Sequence, residues 1–240
     1  MTQLAARATP AGDVVYAWSP SPAAQTLSLP EQIAERIGNA IIHGRYEAGA
    51  RIQEQEVADA FRVSRGPVRE ALRILERDGL VQIHPRRGAQ ITRLDANEVH
   101  DLFEVRVWLL GHAARLAAER HNPDFIARLR AGVDKLAEIA REDHTDAFSS
   151  AAYRTSLMLA EESGNRFLRD MVFSLAHQTL RYARLGLSTS RRRAQSVRNW
   201  RLLFTAVRDN KPKAAQEAAE KLVRDSRDMA VKLLRSERVD

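Results

Sequence analysis

Three arginines at four-residue spacing are the side chains of this sequence best suited to chemistry with a polyanion. Arg65, Arg69 and Arg73 would line one flank of a helix. A guanidinium suits guanine in the major groove, because O6 and N7 are both acceptors at bidentate spacing. A second basic group, Arg86-Arg87-Gly88, lies further along the chain. Arginines near phosphates or a minor groove contribute mainly charge and shape recognition, so the two groups together predict contact with double-stranded DNA.

The first three arginines need a helix to carry them, and the surrounding residues predict one. Ser64 fits the N-cap, and Pro67 fits the first turn, where a missing N–H costs nothing. One apolar stripe recurs at helical spacing, formed by Val68, Ala71, Leu72 and Leu75. Asp78-Gly79 ends the helix. Two short strands are then indicated around Pro85 to Gly88, marked by Val81, Ile83, Ala89 and Ile91.

Two shorter helices upstream complete a DNA-binding unit. Ile33, Ile37 and Ile41 repeat at i, i+4 and i+8 in a first helix from about Glu31 to His43. A second helix is predicted at roughly Glu54 to Phe61. With the two-stranded wing, the pattern is typical of a winged helix-turn-helix whose third helix enters the major groove. The alternative is a solvated amphipathic helix that is merely basic, but all the elements together favour DNA binding.

Composition agrees with this interpretation without requiring it. The 240 residues carry a formal net charge of +7, which favours a polyanionic partner. The chain has no cysteine, so it has no disulfide or thiolate metal site, which fits a reducing cytoplasm. No run is long and apolar enough for a membrane span. We expect a cytoplasmic, nucleoid-associated protein with no membrane partner, and a mobile arm at 1–28.

Past the wing, strand patterns vanish and helical patterns take over. Asp95 with Glu98 resembles a capping box that opens a long helix to about Arg120. Five more helices are predicted, the last from Pro212 to about Ser236. The expected fold is therefore mostly α, with an N-terminal winged helix-turn-helix domain at 29–94 and a C-terminal all-α antiparallel helical bundle at 95–240. No catalytic motif is present, so an enzyme is disfavoured.

A resemblance to a known family sharpens the DNA-binding prediction. The run SRGPVREALRILERDGLV beside RRGAQI resembles the DNA-binding domain of GntR-type bacterial transcription regulators. The order of the predicted helices beyond the wing, to about Arg235, resembles their FadR subfamily. This resemblance implies operator contacts by Arg65 and Arg69, a wing glycine at Gly88 that lets the loop approach the DNA backbone, and a homodimer on a near-palindromic operator. The predicted DNA-contacting set is Gln55, Ser64, Arg65, Gly66, Pro67, Arg69, Arg73, Arg86, Arg87 and Gly88.

One departure from the family lies in the second helix. Many relatives have Glu-Arg at its start, whereas this sequence reads Glu54-Gln55. A DNA contact usual in the family is therefore expected to be weaker or replaced.

The helical region resembles the family's effector-binding and dimerisation domain. Many relatives hold a metal there through an Asp or Asn, a His four residues later, and two further His. Aligned on the local motif, those places hold Ser150, Arg154, Trp200 and Leu222. None is an ordinary ligand for such a metal, and the seven histidines fall elsewhere. We expect no metal and no cofactor.

Arginines in the same region suggest an anionic effector instead. Arg106 matches the arginine that the family's first bundle helix points toward the effector, and a guanidinium can bind a carboxylate bidentately. The alternative for Arg154 is that it fills an obsolete cavity with Trp200 or pairs with a buried acid. The predicted effector site, for a small anionic metabolite such as an organic acid, comprises Arg106, Ser150, Tyr153, Arg154, Asn165, His177, Arg181 and Trp200.

The sequence supports two hypotheses about function. The first is a ligand-responsive transcription regulator, expected to be a repressor; the alternative is a constitutive DNA-binding protein whose effector pocket has closed. The basic triplet Arg191-Arg192-Arg193 is predicted to be a solvated helix start rather than a second nucleic-acid site.

Overall fold

The computed structural model describes residues 27–85, 87–142 and 144–236. The chain forms two compact units, divided in sequence between Arg93 and Leu94. The predicted mobile arm falls outside the described residues apart from positions 27 and 28, and so does the predicted DNA contact Arg86.

The first unit contains three helices and a small antiparallel sheet. The helices are α1 (Leu29–Ile42), α2 (Glu54–Phe61) and α3 (Arg65–Arg77), and the strands are β1 (Arg51–Ile52), β2 (Val81–His84) and β3 (Gly88–Ile91). The strand order is β1-β3-β2, with Ile52 opposite Ala89 and Ile83 opposite Ala89 on the other side. The predicted winged helix-turn-helix is confirmed, but the sheet has three strands rather than two. Strand β1 was not predicted, because two residues are too few to show the alternation of apolar and polar side chains that marks a strand.

The core of this unit follows the predicted periodicity. Ile33, Ile37 and Ile41 of α1 are buried, as is the apolar stripe of α3. Ser28 and Glu31 form a capping box at the start of α1, where the backbone N–H of Ser28 donates to Glu31 Oε2 at 2.7 Å. This packing leaves the opposite flank of α3, which carries the arginines, on the surface.

The second unit is an all-helical bundle. Its helices are α4 (Ala96–Arg120), α5 (Pro123–Ile139), α6 (Thr145–Glu162), α7 (Arg166–Gly186), α8 (Ser190–Arg208) and α9 (Pro212–Ser236). The predicted capping box of α4 is confirmed, since Asp95 Oδ1 accepts from the N–H groups of Asn97 and Glu98, and Asp95 N–H donates to Glu98. Helix α4 packs against α6, α7, α8 and α9. Within the described ranges, no helix is long and apolar enough to cross a membrane.

The start of α8 corrects one prediction. Arg193 is fully buried, and its Nη1 donates to Thr145 Oγ1 at 2.9 Å and to the carbonyls of Leu187 and Ser188 at 3.3 and 3.2 Å. Carbonyls just past a helix end lack partners within the helix, so Arg193 satisfies the end of α7. Arg191 is exposed. The triplet is therefore a solvated helix start only in part, and the prediction is wrong for Arg193.

Candidate DNA-binding surface and effector cavity

Two arginines of α3 are held by the first turn of α2. Arg65 Nε donates to Gln55 Oε1 at 2.6 Å, and Arg69 Nε donates to Glu54 Oε2 at 2.8 Å. Both arginines are exposed. Each bond uses Nε, and across the described residues the terminal amino groups of both guanidinium groups make no further hydrogen bond. Those amino groups form the edge that a bidentate base contact requires.

Gln55 is hydrogen-bonded to two other side chains, Asp59 and Arg65. Its Nε2 donates to Asp59 Oδ1 at 2.7 Å while its Oε1 accepts from Arg65. Relatives often have an arginine at this position, which could not accept a hydrogen bond. The glutamine therefore orients Arg65, a role that the sequence alone did not indicate because the two residues are ten positions apart.

The start of α3 is open to solvent. Ser64 and Gly66 are exposed and Pro67 is half-buried. Ser64 has the extended backbone of an N-cap, but its hydroxyl makes no cap hydrogen bond. Apart from its chain neighbours, a Cβ added at Gly66 would meet only Ser64 Oγ, at 4.0 Å. Gly66 directly precedes Pro67 inside the helix, and a proline ring disfavours the helical conformation for a preceding residue that has a Cβ, so glycine is suited to this position.

The other predicted DNA contacts lie further along α3 and at the tip of the wing. Arg73 is exposed and pairs with Glu70 at 2.8 Å across one turn of α3. At the wing tip, Arg87 is exposed, while Gly88 has a φ of +79°, a left-handed conformation that favours glycine. The backbone conformation of the turn therefore explains a glycine at position 88, whether or not DNA approaches it.

The helical unit contains a cavity of about 50 Å³. Five helices line it with residues that are mostly apolar or carry hydroxyl groups. They are Phe103, Arg106 and Leu110 from α4; Ser149, Ala152, Tyr153 and Ser156 from α6; Leu180 and Ala183 from α7, with Leu187 just after it; Ser196 and Trp200 from α8; and Leu222, Val223 and Ser226 from α9.

Arg106 is the one charged residue on this lining. Its Nη1 donates to Thr179 Oγ1 at 2.6 Å and its Nη2 to Ser156 Oγ at 3.4 Å. The residue is half-buried and its guanidinium is enclosed, and loss of hydration lowers the pKa of Arg106 from its ordinary value. Among the described residues it has no carboxylate partner. The cation is thus held by two neutral hydroxyls.

Helix α6 meets the cavity in a different phase from the one predicted. The α6 residues on the lining are Ser149, Ala152, Tyr153 and Ser156, whereas Arg154 is exposed. Successive helical residues lie about 100° apart around the axis, so an alignment displaced by one residue turns a side chain away from the cavity. The placement of Arg154 in the cavity is wrong, as are the alternatives that made it a plug or a buried ion pair. Ser150 is buried but is not on this lining.

Three further predicted effector residues lie off the lining. Asn165 is the exposed N-cap of α7, where its Oδ1 accepts from the N–H groups of Phe167 and Leu168 at 3.1 Å each. His177 is buried and Arg181 is half-buried, and burial lowers the pKa of Arg181. Arg106, Tyr153 and Trp200 do lie together on the lining, while Ser149 and Ser156 were missed. Their spacing of seven residues on α6 was the available signal.

The cavity lining does not suit a metal. Its polar side chains are one arginine and five hydroxyl groups, whereas divalent metals of this kind need imidazole, thiolate or carboxylate donors. Within the described part of the chain, no group of three or more His, Cys, Asp or Glu side chains is placed to hold one.

A three-helix core with an arginine-lined third helix and a β-sheet wing defines a winged helix-turn-helix DNA-binding protein. Residues 29–91 match the family described as "Bacterial regulatory proteins, gntR family", and residues 101–225 match the FCD domain. The chain belongs to the GntR family of bacterial transcription regulators, with the FadR-like pairing of these two domains, which confirms the resemblance. It is a DNA-binding transcription regulator and not an enzyme.

Similar proteins extend over most of the chain. An uncharacterized HTH-type transcriptional regulator of Bacillus subtilis, YdhC, is 28% identical over 191 residues, covering 78% of this chain and 84% of the relative. The galactonate operon transcriptional repressor of Escherichia coli is 24% identical over 222 residues, covering 84% and 96%. The solved structure of E. coli McbR/YncC superposes with a TM-score of 0.73 at 18% identity, covering 88% of this chain and 99% of that one. That similarity shows a shared fold.

Proposed function

We propose that this protein is a transcription repressor whose affinity for its operator changes when a small anionic metabolite binds in the helical unit. The observation that carries the proposal is Arg106, a desolvated cation on a cavity wall with only neutral hydroxyl partners. A charge removed from water is costly unless an opposite charge compensates it, and an anionic ligand would do so. The relative named as a repressor of the galactonate operon supports both the sign of regulation and an organic acid.

Operator recognition would come from the exposed start of α3. Arg65 and Arg69 read bases in the major groove, with Gln55 and Glu54 fixing their orientation. Ser64, Gly66 and Pro67 let the DNA backbone approach the helix end closely. The wing arginines, Arg86 and Arg87, contribute charge that depends little on sequence.

A homodimer would double these contacts on a near-palindromic operator. The helical unit exposes two large apolar residues on α4 and two on α7: Val105 (50% exposed), Trp108 (64%), Phe167 (66%) and Met171 (58%). Helices α4 and α7 pack against each other, as the contact between Arg106 and Thr179 shows. Exposed apolar side chains on neighbouring helices are typical of an interaction surface, and we assign this α4/α7 face to a second copy of the chain.

Sedimentation of the full chain tests the dimer. Trp108→Glu and Phe167→Glu should each convert a dimer to a monomer, because a charge would be desolvated in the interface. Leu202→Glu is the matched control, since Leu202 is 59% exposed on α8. A wild-type monomer at micromolar concentration, or a dimer indifferent to both substitutions, would show that the α4/α7 face is not the dimer interface.

Fluorescence anisotropy on a selected operator tests the regulation. A panel of organic anions should include one that shifts the operator dissociation constant of the wild type and leaves that of Arg106→Met unchanged. Arg154→Ala is the matched control, because Arg154 is an exposed arginine of the same unit and should respond like the wild type. The small cavity favours the alternative, a constitutive regulator with a closed pocket. That alternative is correct if no anion shifts wild-type affinity.

A further inference from the structure

The charge inventory of the cavity limits what it can bind. Arg106 is the one cation on the lining, and no acidic side chain lies on it. A ligand with one negative charge would neutralise the guanidinium. A second carboxylate would be desolvated there without a counter-charge, which costs several times more than an unpaired neutral group.

Two of the five hydroxyl groups on the lining are committed to their own helix. Ser149 Oγ donates to the carbonyl of Asp146 at 3.1 Å, and Ser156 Oγ donates to that of Tyr153 at 2.7 Å. A hydroxyl has a single proton to donate, so these two groups can offer a ligand only acceptor lone pairs. A polyhydroxylated acid needs hydrogen-bond partners along its whole length, and a lining that is mostly apolar offers few of them.

Most of the rest of the wall is apolar, with the hydroxyls of Tyr153, Ser196 and Ser226 as the exceptions. Phe103, Leu110, Leu180, Trp200, Leu222 and Val223 surround the remaining space. The cavity volume of about 50 Å³ is enough for on the order of three or four water molecules, so a ligand that fits without rearrangement is compact.

From these features we infer that the cavity binds a compact monocarboxylate with an apolar body, and that it does so without a metal ion. The inference rests on the proposed function, since it names the chemical class of the effector. The carboxylate lies against Arg106, whose Nε makes no hydrogen bond to the described residues and whose Nη2 bond to Ser156 is long at 3.4 Å. Those two nitrogens form one bidentate edge. The apolar body packs toward Trp200 and Leu222, at the place where relatives carry metal-binding histidines.

Calorimetric titration and thermal shift on the full-length protein, with EDTA present, test this with matched ligands. The probes are butyrate and benzoate as apolar monoanions, succinate as a dianion, butyramide as the neutral counterpart of butyrate, and galactonate as a polyhydroxylated monoanion. We expect binding by at least one apolar monoanion, and binding about tenfold or more weaker for the other three classes, because each leaves charges or hydroxyls unpaired. EDTA should not change the affinity.

Variants separate the ligand site from general effects on folding. Arg106→Met should abolish binding of the carboxylate, and Arg106→Lys should retain part of it if the methionine variant fails to fold. Arg154→Ala should bind like the wild type. Tighter binding of succinate or galactonate than of either apolar acid would overturn this inference and leave the proposed function standing. Loss of binding in EDTA would overturn the metal-free mode, and a protein that binds no anion at all would sink both proposals.

Discussion

The arginines of the two units differ in what satisfies them. On α3, Arg65 and Arg69 are exposed and are each held through one nitrogen by α2. In the helical unit, Arg193 is fully buried and its Nη1 donates to three protein oxygens at the start of α6 and just after α7. Arg106 lies on the wall of a cavity and is bonded to two hydroxyls. A guanidinium that is buried and links the ends of helices is structural. One that lies at the surface or on a cavity wall is available to a ligand.

The two units also differ in how much net positive charge they carry. Residues 94–236 contain 25 Arg and Lys against 19 Asp and Glu, while residues 27–93 contain 11 against 9. Most of the basic excess of this protein therefore lies outside its DNA-binding unit. The net charge of the chain is therefore a poor indicator of DNA binding. The positions of individual arginines indicate the DNA-binding surface better.

The largest expected effect comes from removing the structural arginine. Arg193→Met should lower the free energy of unfolding by about 3 kcal/mol, because it removes a fully buried side chain and leaves the carbonyl of the buried Leu187 without this donor. Arg191→Met, two residues earlier and exposed, should change it by less than about 0.5 kcal/mol. Urea unfolding of both variants measures the difference. Equal, small effects would mean that Arg193 is not structural.

An intermediate effect is expected on DNA affinity. Arg65→Ala and Arg69→Ala should each weaken specific binding by about 1 to 3 kcal/mol and leave protein stability almost unchanged, since both side chains are exposed. Arg87→Ala should weaken binding more evenly across sequences. Gel shifts on the operator and on scrambled DNA measure both. Unchanged operator affinity in both helix variants would refute the placement of α3 in the groove.

Gln55 offers a sharper version of this test. Gln55→Ala should reduce specificity at the base read by Arg65, with the salt dependence of binding unchanged, because the glutamine is neutral and acts through the arginine. In the Arg65→Ala background the same substitution should have little further effect. Additive losses would place Gln55 on the DNA instead.

The sequence predicted a helix or strand well where apolar and polar residues alternate clearly along it, and poorly where they do not. Helices with a clear apolar stripe, such as α3, were located to within a residue or two. Helix α6 mixes Ser and Ala around Ser149 and Ser150, so apolar periodicity does not define which face is buried, and the alignment on the local motif placed Arg154 on the wrong face. Burial of Arg193 depends on the ends of α6 and α7, which no local pattern shows. Strand β1 has two residues, too few for a periodicity.

The smallest expected effect concerns Gly66. Gly66→Ala should change the stability of the protein by less than about 1 kcal/mol, because the better helix propensity of alanine is opposed by the clash between its Cβ and the ring of Pro67. DNA affinity should fall in the same variant if the backbone of the operator approaches this position. Thermal unfolding and gel shifts on one protein sample measure both. A variant that stays folded and binds DNA normally would show that Gly66 is not at the interface.

The most direct test of the distinction between structural and ligand-binding arginines is the unfolding free energy of Arg106→Met without ligand, measured beside Arg193→Met. A buried charge without an opposite charge is costly, so replacing it by an apolar side chain of similar size should not destabilise the protein. We predict that Arg106→Met is at least as stable as the wild type while Arg193→Met is much less stable. A loss of stability in Arg106→Met as large as that in Arg193→Met would show that the fold itself requires Arg106, and would contradict its assignment as the anchor of an anionic effector.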